Sequence, residues 1–209
     1  MALTHVFLML NMKKWLVISW LVILFSAIGA IFWYTDWVYQ LPTPIPKDYH
    51  AVGTGKLISI NSFAKSEDKK PVFLHFFNPD CPCSRFNIKQ FSTLVKQYGK
   101  EVDFKVVVLS KKSFTANEIQ KKFDLAIPIY FDESLAKACG VYSTPQAVLL
   151  DQDYRLFYRG NYNASRYCTD EKTNFAKIAL EGILKRKTDL NFSALALQAY
   201  GCSLPGCSN

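Results

Sequence analysis

Pro71-Val-Phe-Leu-His-Phe-Phe77, continuing into Asn78-Pro-Asp-Cys-Pro-Cys-Ser-Arg85, is the stretch that decides the fold. Its first half is a short aromatic and β-branched run, the composition of a buried strand. Asn78-Pro79-Asp80 turns the chain. A helix is expected to open near Cys81–Cys83, with Pro82 in its first turn, where a missing N–H is harmless. Ile88, Phe91, Val95 and Tyr98 then recur at helical spacing, and Gly99 is a stop signal. A cysteine therefore stands where a strand hands over to a helix N-terminus. Unpaired backbone N–H groups and the helix dipole favour negative charge there, and the thiolate is the reactive form of cysteine. Arg85 adds positive potential one turn on, whereas Asp80 works against it.

Strands and helices alternate downstream. Residues 102–109 read as a second strand. Thr115-Ala-Asn-Glu118 is a capping box for a helix ending near Phe123. Residues 127–131 form a third strand, and Asp132 caps a short helix that ends at Gly140. Residues 146–150 and 154–159 are strands joined by the Asp151-Gln-Asp153 turn. A last core helix is expected over 169–187, with a tail helix over 193–200. This order predicts an α/β fold with a mixed central sheet flanked by helices.

Tyr142-Ser-Thr-Pro145 precedes the fourth strand. Proline there invites a cis Thr144–Pro145 bond, uncommon without structural demand. The exposed Thr144 backbone would then be ready to pair with an extended thiol-bearing peptide, like an added strand.

The order of elements, together with Pro128-Ile-Tyr-Phe-Asp132, Ala138-Cys-Gly-Val-Tyr-Ser-Thr-Pro145, Ala147-Val-Leu-Leu-Asp151 and Tyr158-Arg-Gly160, resembles the thioredoxin-like superfamily. The likeness is to its membrane-anchored thiol–disulfide oxidoreductase and redoxin branch, over residues 55–187. The resemblance implies a nucleophilic Cys81 and a cis-proline at Pro145 with Thr144 beside it; no cofactor or metal is expected. One departure stands out. The family usually places two residues between its cysteines; Cys81 and Cys83 have one, and Ser84 occupies the resolving position. Either Cys83 resolves, in a small, easily reduced ring, or Cys81 works alone and a distant or external thiol resolves it. Pro82, Ser84 and Arg85 are the supporting residues. Either way the Cys81 sulfur is expected to face solvent beside the proline loop.

All six cysteines follow the N-terminal apolar segment, which suits an oxidising compartment. Cys202-Ser-Leu-Pro-Gly-Cys207 holds a Pro-Gly turn, so a local Cys202–Cys207 disulfide is expected, with a swinging redox tail that resolves Cys81 as the alternative. Cys139 reads as a buried thiol, and its pairing with Cys168 stays open. His75 reads as a satisfied core histidine. Three other functions compete. A redoxin-like thiol peroxidase resembles its relatives in a Thr or Ser three residues before the cysteine, where Asn78 stands here. A copper-handling thioredoxin-like protein suits soft thiolates, but no histidine follows His75. The third is a non-catalytic binding module.

From Trp15 to Tyr34 the chain is nearly all apolar, long enough to span a bilayer. Lys13 and Lys14 precede the run and aromatic Trp33, Tyr34 and Trp37 close it, which keeps the N-terminus inside and exports the rest. A cleaved signal peptide is the competing reading. The expected organisation is a short cytoplasmic N-terminus (1–14), a transmembrane anchor (15–35), a proline-containing spacer (36–54), a thioredoxin-like domain (55–187) and a cysteine-containing tail (188–209). Localisation follows as the cytoplasmic membrane, single-pass, with the domain periplasmic or otherwise extracytoplasmic. The net charge of +8 comes from scattered lysines, which read as solvated faces rather than a nucleic-acid surface. Expected partners are protein thiols or disulfides, small thiols, the membrane and a membrane or soluble redox partner.

Overall fold

The computed structural model describes residues 2–37, 41–61, 63, 68–165, 168–187 and 190–204. Residues 1–38 and 39–209 form two compact units. The first is helix α1 (Ala2–Phe32), which runs into a π-helical turn, Trp33–Trp37. Within it, Met12–Thr35 has a mean hydropathy of 2.4 and no buried share, so the helix is long and apolar enough to cross a membrane.

The second unit is built on β1 (Val72–Phe77), β2 (Asp103–Val108), β3 (Ile129–Tyr130), β5 (Gln146–Leu150) and β6 (Leu156–Gly160). They form one five-stranded sheet in the order β3-β2-β1-β5-β6. β1, β2 and β3 run parallel, and β5 lies antiparallel to both β1 and β6. The sheet is therefore mixed, with β1 at its centre. Buried on both faces, β1 is a continuous apolar run broken only by His75.

Strand alternation divides the core into two layers. Phe73 and Phe77 face a layer that includes Phe91 and Leu94 of α2 (Pro82–Tyr98), Ile119 of α3 (Ala116–Phe123) and Ala176, Ala179 and Leu180 of α5 (Phe175–Leu184). Val72, Leu74 and Phe76 face the other, with Leu135, Ala136 and Cys139 of α4 (Glu133–Cys139). The caps lie where local chemistry puts them. Thr115 and Glu118 form the full capping box of α3, and Asp132 accepts from the N–H groups of Ser134 and Leu135. Gly140 ends α4 in the left-handed region, at φ 70°.

Three segments differ from expectation. α5 starts at Phe175 rather than near 169, because Asp170 caps a separate 3-10 turn, Glu171–Thr173, and Asn174 caps the helix proper. The proline-containing segment before the domain is not a free spacer along its length. Pro42 bridges to Tyr200, the Thr43 N–H donates to the Ala199 carbonyl at 2.8 Å, and Val52 is buried. The described part of the tail, residues 190–204, is likewise packed on the domain. α6 (Ala194–Leu197) is pinned by Asn161, whose Nδ2 donates to the carbonyls of Leu195 and Gln198. The two segments satisfy each other's backbone groups, and the Asn161 N–H just after β6 donates to the Ala196 carbonyl at 2.8 Å.

Candidate functional site

β1 ends at Phe77, and Asn78-Pro79-Asp80 turns the chain into α2. The turn is braced from two sides: the Cys81 N–H donates to the Asn78 carbonyl at 3.1 Å, and the Asn78 N–H donates to Ser84 Oγ at 3.2 Å. Ser84 is fully buried, so the position expected to resolve serves instead as an internal strut. Asp80 lies near Lys112 Nζ at 3.2 Å and accepts from Ser110 Oγ at 3.4 Å, which offsets its charge beside the site.

Cys81 is the N-cap of α2, with extended backbone (φ −81°, ψ 121°), and Pro82 is the first helical residue. The cap position places Cys81 at the positive end of a seventeen-residue helix. Cys83 is already inside the helix, and its side chain is fully buried. Arg85 is at the surface, one turn further.

The second wall of the site is β4 (Ser143–Thr144) followed by Pro145, joined by a cis Thr144–Pro145 peptide bond. The Thr144 carbonyl oxygen lies 3.6 Å from Cys81 Sγ. The third wall is the tail. β7 (Cys202–Ser203) pairs antiparallel with β4, setting Cys202 opposite Thr144 and Ser203 opposite Ser143. Cys202 is disulfide-bonded to Cys81, with a Cα–Cα separation of 6.2 Å. The segment before 54 completes the clasp: Thr43 Oγ1 meets Ser143 Oγ at 2.9 Å.

The approach is close enough to dictate a glycine. Gly201 has φ 125°, and a Cβ there would come within 2.3 Å of the Thr144 carbonyl oxygen. No side chain fits between tail and loop. Upstream, Tyr200 anchors the tail by donating from its hydroxyl to the Asn163 carbonyl at 2.7 Å.

Three expectations change. Cys83 is not bonded to Cys81: its side chain turns into the core while Cys81 stands at the cap, and helix positions two apart do not face each other. Cys202 is bonded to Cys81 rather than to Cys207, which lies outside the described residues. The Cys81 sulfur does not face solvent, because the residue is only 2% exposed beneath the bonded tail. In the sequence, the distant-thiol and swinging-tail alternatives are the readings that admit this pairing.

Two further thiols stand off. Cys139 and Cys168 belong to opposite core layers, so the sheet separates them and they do not pair. Burial pushes both thiols up to about 12, which keeps them protonated and inert. Cys168 Sγ donates to Asn87 Oδ1 at 3.3 Å, and Asn87 Nδ2 donates to the Cys83 carbonyl at 3.1 Å.

His75 is fully buried on β1, with Nδ1 2.7 Å from the Tyr162 hydroxyl. Among the described residues, Nε2 has no partner. Burial holds the ring neutral, with its pKa lowered to about 3. The unfolded chain takes up this proton and the folded chain does not, so the stability His75 contributes is present above the unfolded pKa and is lost as pH falls towards 3. Unfolding free energy should fall by about 2 kcal/mol between about pH 6.5 and about pH 5 from this group. Urea unfolding of the full chain in detergent measures it: His75→Phe should flatten the slope in that window, and an unchanged slope would refute the assignment.

The family described as a domain of unknown function, DUF6436, matches residues 55–205 of the chain. The chain belongs to the DUF6436 family. The matched region of this DUF6436 chain takes in Cys81, Thr144, Pro145 and Cys202 and stops short of Cys207. Among solved structures it is similar to an uncharacterized conserved protein from Geobacillus kaustophilus (18% identity, TM-score 0.61, covering 78% of this chain and 97% of that one). It is similar also to a hypothetical protein from Sinorhizobium meliloti (18% identity, TM-score 0.60, covering 75% and 96%). A third likeness is to the C-terminal domain of a Bacteroides thetaiotaomicron protein assigned as a thiol-disulfide oxidoreductase (16% identity, TM-score 0.51, covering 64% and 97%). No curated protein matches the chain. The fold of the DUF6436 chain is thioredoxin-like: a mixed sheet flanked by helices, with a cysteine at the head of the helix after the central strand.

Proposed function

We propose that this protein is a membrane-anchored, extracytoplasmic thiol–disulfide oxidoreductase whose nucleophile is Cys81 and whose resolving cysteine is Cys202. The observation that carries this reading is the Cys81–Cys202 bond formed against the Thr144–Pro145 loop. Cys81 occupies a helix cap, where unpaired N–H groups and the dipole stabilise a thiolate. The apolar α1 serves as the anchor, with Lys13 and Lys14 on the cytoplasmic side.

In the reducing direction, the Cys81 thiolate attacks a substrate disulfide, forms a mixed disulfide and releases one substrate thiolate. The Cys202 thiolate then attacks Cys81 Sγ, closes the Cys81–Cys202 bond and releases the second substrate thiolate. Two electrons pass from the enzyme dithiol to the substrate, and the same steps reversed oxidise a substrate dithiol. The Thr144 backbone supports this chemistry by holding the arriving strand in line. Cys83 takes no part in the exchange.

Mass-spectrometric mapping of the oxidised full chain tests the reading. A Cys81–Cys202 cross-linked peptide is expected, lost on reduction and regained on mixing with a disulfide. Recovery of Cys81 bonded only to Cys83, with Cys202 in another bridge, would overturn it.

A further inference from the structure

The tail reports what else the site is built to hold. β7 lies on β4 with Cys202 opposite Thr144 and Ser203 opposite Ser143, so the next step of the register brings Leu204 to Tyr142. Alternate residues of a strand share a face, so Cys202 and Leu204 address the same side. Leu204 and Tyr142 both line a cavity of about 190 Å³ whose inner wall is Leu109 and Val141, with Tyr49 and Pro46 beside them and exposed charged side chains, Glu133 and Lys137 among them, at its mouth. Leu109 and Val141 are buried, and Leu204 packs against the core layer that contains them. An apolar cavity of about 150 Å³ is enough for a benzene ring. The space left beside Leu204 therefore takes a side chain, and is too small for a cofactor or a drug-sized ligand, which need about 300 Å³ or more.

We infer that the substrate is an extended protein segment in which the reactive cysteine is followed, two residues on, by a large apolar residue whose side chain enters this cavity. The inference rests on the oxidoreductase reading, and the chain's own Cys202-Ser203-Leu204 is its internal example. On reduction the Cys81–Cys202 bond opens and the segment after Gly201 leaves β4. The incoming segment takes the vacated backbone edge, with its cysteine at Cys81 and its apolar residue at Tyr142. Leu204 and the substrate residue compete for the same apolar wall, so closing the Cys81–Cys202 bond also expels the product.

The experiment uses the full chain in detergent, reduced beforehand and freed of reductant. Three glutathionylated peptides serve as substrates, identical except for Ala, Leu or Phe two residues after the cysteine. Cys81 attacks the peptide sulfur and releases glutathione; Cys202 then releases the peptide thiol and leaves the enzyme oxidised. Single-turnover rates for Leu and Phe should exceed the Ala rate by about tenfold or more. Lys137, exposed on the cavity rim, is the blocking position: Lys137→Trp should bring the three rates to within about threefold of one another. Three peptides turned over at equal rates by the wild type would overturn the inference and leave the oxidoreductase reading standing. A preference untouched by Lys137→Trp would overturn the assignment to this cavity. No release of peptide or glutathione from any substrate would sink both.

Discussion

Cys202→Ser turns the protein into a trap. On the proposed chemistry Cys81 should still attack a substrate disulfide, but the sulfur bonded to Cys81 in the native chain is gone. Mixed disulfides should then accumulate through Cys81, visible as adducts on non-reducing gels that vanish with dithiothreitol. Cys81→Ser should form no adducts and lose turnover by about a thousandfold or more, the scale on which removing a covalent nucleophile acts. Cys83→Ser should exchange at close to the wild-type rate, since its sulfur is buried inside the helix and the core. The opposite pattern, with Cys83→Ser trapping and Cys202→Ser turning over, would assign resolution to the Cys81–Cys83 pair and end the case for the tail.

The second large effect is on stability. The Cys81–Cys202 bond closes a loop across a sequence separation of 121 residues. In the chain-entropy account, a cross-link over so long a loop removes unfolded-state freedom worth about 5 kcal/mol, and typical values are about 2–4 kcal/mol. For a domain of this size that corresponds to a Tm lower by about 10 °C when the bond is reduced. The wild type should therefore melt at two temperatures, with and without dithiothreitol. Cys202→Ser should melt near the lower one under both conditions. Calorimetry of the full chain in detergent is the measurement. Equal melting temperatures for the oxidised and reduced wild type would mean that the tail is held by its other contacts alone. Those contacts are real: Ala196 is buried, Asn161 holds two tail carbonyls, and Tyr200 reaches Asn163. With the Thr43 hydroxyl donating to the Gly201 carbonyl at 3.4 Å, they hold the chain as far as Gly201, so on reduction the freed segment begins after it.

Much of the fold is local physics and reads directly from neighbouring residues. The 71–77 run forms the central strand because its side chains have no polar face to show water, apart from His75. Pro82 and the unpaired N–H groups around it start the helix. The Thr115–Glu118 box and Asp132 open the next two helices, because a cap is satisfied by residues two or three away. The place of Cys81 at a helix head and of Thr144–Pro145 before a strand follow from the same short-range rules. His75 was legible as core but not as a ring whose Nε2 has no partner among the described residues, since that depends on which strands enclose it.

By itself, then, the sequence determined an apolar N-terminal helix, the α/β order of the domain, and a cysteine at the head of a helix. Only the tertiary structure decided which sulfur that cysteine meets. Cys83 is nearest along the chain, but helical geometry sends its side chain into the core. Cys202 is far along the chain, yet the folded tail brings it to Cys81 as an added strand, through a glycine that alone can pass the Thr144 carbonyl. Helices, caps and turns are settled by neighbours within a few residues, whereas a disulfide partner is settled by the whole path of the backbone between the two ends.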